Sequence, residues 1–211
     1  MKNAMIWGAG GGIGHALSKQ LMQSEWNVIG ISRDSEKIES DVSHAITADV
    51  TNEFDVQNAV MSAGYEVDDI QLWIYAVGDI ISQKSDALSS TDWQRIIGAN
   101  LTGAFQTVHH SLPLMADDAH IVFLGAVSER LRLPGLSAYV AAKAGLESFA
   151  ETLRKEQRKK RVTIVRPGAV ATPFWDKVPL RLPKDAASPE KVAHRILEAH
   201  ESGHSGVLDL L

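Results

Sequence analysis

AMIWGAGGGIGHAL, residues 4–17, is the stretch whose reading decides the fold. Ala4 to Trp7 is a short apolar run suited to a buried strand, and a glycine-rich turn, Gly8 to Gly14, follows at once. Beyond it Ile13, Leu17, Leu21 and Met22 fall on one side of a helix. Strand, glycine turn and helix in that order make a phosphate-binding context. Small residues let the backbone approach a diphosphate, and the free N–H groups of the helix start, from Gly12 through Ile13 to Gly14, hold it. The dinucleotide fingerprint GxGxxG fails, because from Gly8 its last glycine falls on Ile13 and from Gly10 on His15. GxxxGxG fits, at Gly8, Gly12 and Gly14. A glycine loop that merely turns tightly is the plain alternative.

The next element outward, Asn27 to Ile31, is a second strand ending at Ser32-Arg33-Asp34. Residues just past the second strand of such a fold meet the adenosine ribose. Neutral Ser32 and cationic Arg33 favour a 2′-phosphate, hence NADP, with NAD possible; Asp34 is placed either to pair with Arg33 or to take the ribose role itself. Further strands read as Ala45–Ala48, Gln71–Ala76, Ile121–Leu124, Val162–Val165 and Gly206–Leu210. Helices read as Val56–Met61, Trp93–Met115 with Asn100 near its middle, Tyr139 to about Lys160, and Pro189–Ala199. The alternation predicts an α/β, Rossmann-like doubly wound parallel sheet of about seven strands, one domain over residues 1–211.

Within that frame AHIVFLGAVSERLRLPGLSAYVAAKAGLE, residues 119–147, carries the chemistry. Tyr139 and Lys143 are four residues apart and share one helix face. A neighbouring ammonium favours phenolate, which is expected to lower the tyrosine pKa from about 10 toward neutrality. Such a tyrosine exchanges a proton with an alkoxide or alcohol. Taken alone, a YxxxK pair more often marks an amphipathic helix with a snorkelling lysine.

Composition limits the alternatives. The 211 residues suit one domain, and a net charge of -5 argues against nonspecific nucleic-acid binding. With no cysteine there is no disulfide, thiolate nucleophile or zinc–thiolate site. No apolar run is long enough to span a bilayer, and the N-terminus reaches its glycines too early for a signal peptide, so a cytoplasmic protein without membrane contact is expected. His200-Glu201-Ser202-Gly203-His204 spells HExxH, but Gly203 sits inside the helix that a zinc site needs, and no metal is expected. His109 and His110 face different directions on a helix, and the basic run Arg154–Arg161 complements a helix C-terminus.

Taken together, these motifs resemble the short-chain dehydrogenase/reductase family along the whole chain. The family's glycine motif falls on Gly8, Gly12 and Gly14, its adenine-contacting aspartate on Asp49 beside Val50, and its helix asparagine on Asn100. The YxxxK pair is Tyr139 and Lys143, and the PGxVxT segment runs from Pro167 and Gly168 through Val170 to Thr172. The resemblance implies NAD(P) along the carboxyl edge of the sheet and hydride transfer to or from a carbonyl or alcohol. Tyr139 would be the acid/base, Lys143 would hold the nicotinamide ribose, Asn100 would seat a relay water, and Thr172 and the Val170 backbone would meet the carboxamide. It also implies a homodimer or homotetramer built on the helices of Asn100 and Tyr139.

Three departures stand out. Ala126 occupies the place of the catalytic serine, thirteen residues before Tyr139, and Gly125 offers no hydroxyl either; Ser128 is the candidate replacement. An oxyanion donor is worth roughly 10²–10³ in rate. The family's NNAG appears as Tyr75-Ala76-Val77-Gly78, with only Gly78 kept for the adenosine, and Trp7 replaces a threonine. Pro173 to Ser188, with Phe174, Trp175, Val178, Leu180 and Leu182, reads either as an apolar substrate lid or as a loop packed on the core. The expected activity is an NADP-dependent dehydrogenase/reductase; the alternative is a cofactor-binding sensor or scaffold with little turnover.

Overall fold

The computed structural model describes residues 1–177 and 181–210. Seven parallel strands form one sheet in the order β3-β2-β1-β4-β5-β6-β7. They are β1 Asn3–Trp7, β2 Asn27–Ser32, β3 His44–Thr47, β4 Ile70–Tyr75, β5 Met115–Leu124, β6 Arg161–Pro167 and β7 Gly206–Leu210. The chain winds outward from β1 to β3, then crosses back to lay β4 on the other side of β1. That reversal opens a crevice past the carboxyl ends of β1 and β4, the place where such sheets bind ligands.

Alternation along the strands builds two cores. Met5, Trp7, Trp73, Tyr75, Ile121 and Phe123 face one side with residues of α2 (Glu53–Glu66), α4 (Gly103–Ser111) and α5 (Ser137–Glu156). Ala4, Ile6, Leu72, Ile74, Val122 and Leu124 face the other, with residues of α1 (Gly12–Gln23) and α6 (Pro189–Glu201). Both faces are covered, so the strands read as apolar runs. The indole N–H groups of Trp7 and Trp73 have no partner among the described residues. Each costs about 1–3 kcal/mol, less than the roughly 4–6 kcal/mol from burying an indole's apolar area. A bulky Trp7 is therefore affordable at the family's threonine position.

The expected long helix Trp93–Met115 is found as one continuous helical run from Ser90 to Ser111, with a π turn set inside it. α3 covers Ser90–Ile97, a π-helical turn covers Gly98–Thr102, and α4 follows. Pro113 lacks the N–H that a helix interior needs, so only a short 3₁₀ turn, Leu112–Leu114, precedes β5. β5 begins at Met115, with a register shift against β4 between Ile70 and Leu72. α5 ends at Glu156 rather than near Lys160, because the turn closed by Lys160 N–H on Gln157 O delivers the chain to β6. No helix among the described residues is long and apolar enough to cross a membrane.

Candidate active site

The glycine turn closes on itself through backbone bonds. Gly8 and Ala9 N–H donate to Ile31 O at 2.8 and 3.1 Å, and Gly11 N–H donates to Gly8 O at 3.0 Å. Gly8 has φ +87°, open to glycine at little cost, and a Cβ there would lie 2.9 Å from Ala76 C and Val77 N. A Cβ on Gly14 would collide with the Gly8 carbonyl. Among the described residues no side chain caps α1 at Gly11, so the first-turn N–H groups at Gly12, Ile13 and Gly14 stand at a positive helix end. These residues fit a dinucleotide diphosphate. A Cβ on Gly12 would lie 2.5 Å from Thr172 Cγ2, so the segment after β6 reaches across to the turn.

Past β2, Arg33 is exposed and makes no ion pair among the described residues, while Asp34 pairs with Lys37 at 2.7 Å. That answers one of the two roles open to Asp34: it is drawn to Lys37, not Arg33. Asp49 Oδ1 accepts from Thr51 N–H at 2.9 Å and Thr51 Oγ1 at 2.8 Å, leaving its other oxygen unengaged among the described residues. Val50 is buried, with its Cγ2 directed at Gly103. In the segment after β6, Gly168 N–H donates to Leu210 O at 2.9 Å and Thr172 N–H to Val170 O at 2.9 Å. Val170 forms a lone parallel bridge with Ala187, and Pro167 pairs with Leu210 at the end of β6.

Tyr139 and Lys143 lie on the buried face of α5, 7% and 4% exposed. Lys143 Nζ donates to Leu124 O at 2.8 Å and stands 5.8 Å from the Tyr139 ring centroid. Asn100 lies in the π turn and spends both amide protons, on Asp79 O at 2.7 Å and Ile96 O at 2.8 Å. Its Oδ1 is buried without a partner among the described residues. A Cβ placed on Gly78 would lie 3.4 Å from that oxygen, 3.8 Å from Phe174 Cε2 and 3.9 Å from Lys143 Nζ. Asn100, Lys143 and Phe174 thus gather around Gly78.

Tyr139 is not made acidic by Lys143, contrary to the expectation from helix spacing. Burial pushes the Tyr139 hydroxyl above its usual range and lowers Lys143 to about 8. The lysine charge is spent on the Leu124 carbonyl, and desolvation, which disfavours both charged forms, wins. In this form the tyrosine is a phenol.

At the serine position, Ala126 packs in an apolar cluster with Tyr139, Ile80, Ile96 and Leu136. Gly125 has no room for a side chain, since its Cβ would lie 2.9 Å from Ile164 Cδ1. Ser128 is buried in a tight turn, its N–H on Ala126 O at 2.8 Å, and its hydroxyl makes no hydrogen bond among the described residues.

Phe174 tilts against Tyr139 with ring centroids 5.9 Å apart, and Lys177 Nζ reaches Asp79 Oδ1 at 2.8 Å, where Arg95 also binds. Leu182 is exposed, and Val178 and Leu180 lie outside the described residues. Asp79 and the Leu124 carbonyl belong to no motif, and at Tyr75 the sequence shows the departure from NNAG but not the partner of its hydroxyl. In the HExxH stretch, His200 lies in the last turn of α6 and its Nδ1 faces His120 Nδ1 at 3.1 Å, while His204 lies past Gly203 outside the helix. His110 pairs with Glu53 at 3.1 Å, and His109 stacks on Phe105.

A family profile described as short chain dehydrogenase matches residues 2–182. The serine 3-dehydrogenase of Agrobacterium fabrum is 29% identical over 180 residues, covering 81% of this chain and 72% of that protein. The 3beta-hydroxysteroid dehydrogenase 1 of Eggerthella lenta is 28% identical over 188 residues, covering 82% and 72%. Among solved structures, ligand-free Thermoplasma acidophilum aldohexose dehydrogenase superposes with a TM-score of 0.87 at 24% identity, over 99% of this chain and 92% of that one. The Brucella melitensis 3-ketoacyl-(acyl-carrier-protein) reductase complexed with NADH gives 0.86 at 24% identity, over 99% and 96%. At such identities the structural likeness speaks for the fold.

Proposed function

The chain belongs to the short-chain dehydrogenase family, and on that premise we propose that it is an oxidoreductase transferring a hydride between NADP(H) and a carbonyl or alcohol substrate, with Tyr139 as acid/base. The observation that carries this reading is that Lys143 Nζ and Asn100 Oδ1, which has no partner among the described residues, both lie beside Gly78, with the Tyr139 ring close to that ammonium.

The dinucleotide, when bound, supplies or accepts the hydride. Its diphosphate fits the Gly8, Gly12, Ile13 and Gly14 turn, and its adenosine fits Asp49, Val50 and Gly78. Pro167, Gly168, Val170 and Thr172 border the nicotinamide side. Arg33, exposed and free of Asp34, favours a 2′-phosphate. NAD use would require that charge to be idle.

In carbonyl reduction the Tyr139 phenol donates its proton to the oxygen as it becomes an alkoxide. The Lys143 ammonium stabilises the phenolate left behind, and its remaining donors suit ribose hydroxyls. Asn100 Oδ1 accepts from a water that returns the proton through Lys143. Ser128 supplies the oxyanion donor that Ala126 cannot. Residues 173–188 act as the lid of an apolar substrate pocket, with Phe174 against Tyr139.

Phe105 on α4 is half exposed beside Phe149 on α5, which supports a homo-oligomer built on these helices. Light scattering giving a monomer at micromolar concentration would refute that assembly.

The test of the activity is NADPH consumption with a panel of aldehydes, ketones and quinones, using Tyr139→Phe as control. Removing a general acid costs roughly 10²–10⁴ in rate, so the variant should lose nearly all turnover while still binding NADPH. Tight NADPH binding by the wild-type protein without turnover across the panel would reject the proposal.

A further inference from the structure

Tyr75 closes β4, and its hydroxyl crosses to the helical layer to donate to Ala99 O, 2.7 Å away. The acceptor lies in the π turn, where the Gly103 N–H reaches back to Gly98 O. A π turn carries one residue more than an α turn, so it shifts its side chains around the axis, and such turns recur at functional sites. The residue after the acceptor is Asn100.

Two features make the contact specific. A Cβ on Gly103 would stand 2.7 Å from Tyr75 Oη and 2.8 Å from Val50 Cγ2, so glycine there leaves room for the hydroxyl. The ring itself is fully buried and stacked on Trp73, centroids 6.3 Å apart. Burial, with Asp49 acting in the same direction, keeps Tyr75 a neutral phenol able to donate.

Resting on the reading of Tyr139, Lys143 and Asn100 as the redox site, we propose that Tyr75 is a positioning residue. Through Ala99 it holds the π turn in the register that turns Asn100 Oδ1 toward Gly78, where Lys143 Nζ also lies. A phenol reaching from the sheet to the helix takes over a position where the family's NNAG segment has an asparagine.

The experiment compares the full chain with Tyr75→Phe, Asn100→Ala and the double variant, and Gly103→Ala serves as a second way to displace the hydroxyl. Tyr75→Phe should lower kcat at least tenfold, leave KM and the NADPH Kd within twofold, and add nothing to the loss in Asn100→Ala. An unchanged kcat, or losses that multiply in the double variant, would overturn the proposal. A second readout is independent of turnover. The Asn100 side-chain amide protons, held by Asp79 O and Ile96 O, should exchange with solvent at least tenfold faster in Tyr75→Phe and Gly103→Ala. If no substrate turns over, or Asn100→Ala is fully active, the functional reading has failed, and amide exchange alone then decides the role of Tyr75. Unchanged exchange in both variants would refute it.

Discussion

The ammonium of Lys143 is held by the carbonyl of Leu124, 2.8 Å away at the end of β5, and not by the phenol on its own helix. Burial then acts on both groups alone, raising Tyr139 and lowering Lys143 to about 8. Near neutrality the pair is phenol plus ammonium, the form that donates a proton. Carbonyl reduction is therefore expected to be level from about pH 6 to about pH 7.5 and to fall as Lys143 loses its proton above about pH 8. Alcohol oxidation, which needs the phenolate, should keep rising to well above that range, because burial holds Tyr139 above its usual value. Steady-state rates in both directions check this, and parallel profiles would contradict it.

Ser128 is the nearest hydroxyl in chain order to the alanine at the serine position, and it is buried. Ser128→Ala should lower kcat at least tenfold, and by about 10²–10³ if the full worth of one oxyanion donor is lost. Ala126→Ser should restore turnover in that background, since it adds a hydroxyl to a Cβ that packs in one cluster with Tyr139. A Ser128→Ala variant with wild-type kcat excludes the substitution of one donor by the other.

Arg33 is exposed while its neighbour Asp34 is committed to Lys37. Arg33→Ala should weaken NADPH by about tenfold or more, a charge-assisted bond being worth about 1.5–3 kcal/mol, and leave NADH nearly unchanged. Equal losses for both cofactors, measured by fluorescence titration, would remove the basis for NADP preference.

Lys177 ties the segment after Thr172 to Asp79, whose backbone oxygen also holds Asn100. The lysine is exposed, so the pair is worth about 0–1 kcal/mol and opens readily. Lys177→Ala should raise substrate KM up to about fivefold, the equivalent of about 1 kcal/mol, with little change in melting temperature. A KM that stays put would show that the segment is not a lid.

Away from the site, His120 is buried between His200 at 3.1 Å and Thr163 Oγ1 at 2.8 Å. Desolvation, then Arg161 and neighbouring histidines, lowers His120 to about 3, while desolvation, Arg161 and Lys2 lower His200 to about 4. Both rings are neutral in the fold, whereas the unfolded chain takes up protons below about pH 6.5. Their contribution is complete above that pH and is lost as the pH falls toward 4, with a slope of up to about 1.4 kcal/mol per pH unit for each ring. Urea unfolding from pH 7.5 to 4.5 should show this. Replacing His120 and Thr163 together by Leu and Val should make it shallower, His200 alone remaining, and an equally steep slope in that variant would assign the effect elsewhere.

Much of the molecule was legible in the chain because its causes are local. Strand alternation, the GxxxGxG turn and the four-residue spacing of Tyr139 and Lys143 follow from backbone geometry over one or two turns. They determined the doubly wound sheet, the family and the shared helix face. The tertiary structure alone decided where the polar groups of that face are spent. Lys143 meets Leu124 from 19 residues away, Tyr75 meets Ala99 from 24, and His120 meets His200 from 80. Those partners are chosen by strand order and layer packing, which no short-range periodicity encodes, and through them burial rather than a neighbouring charge sets the protonation of Tyr139.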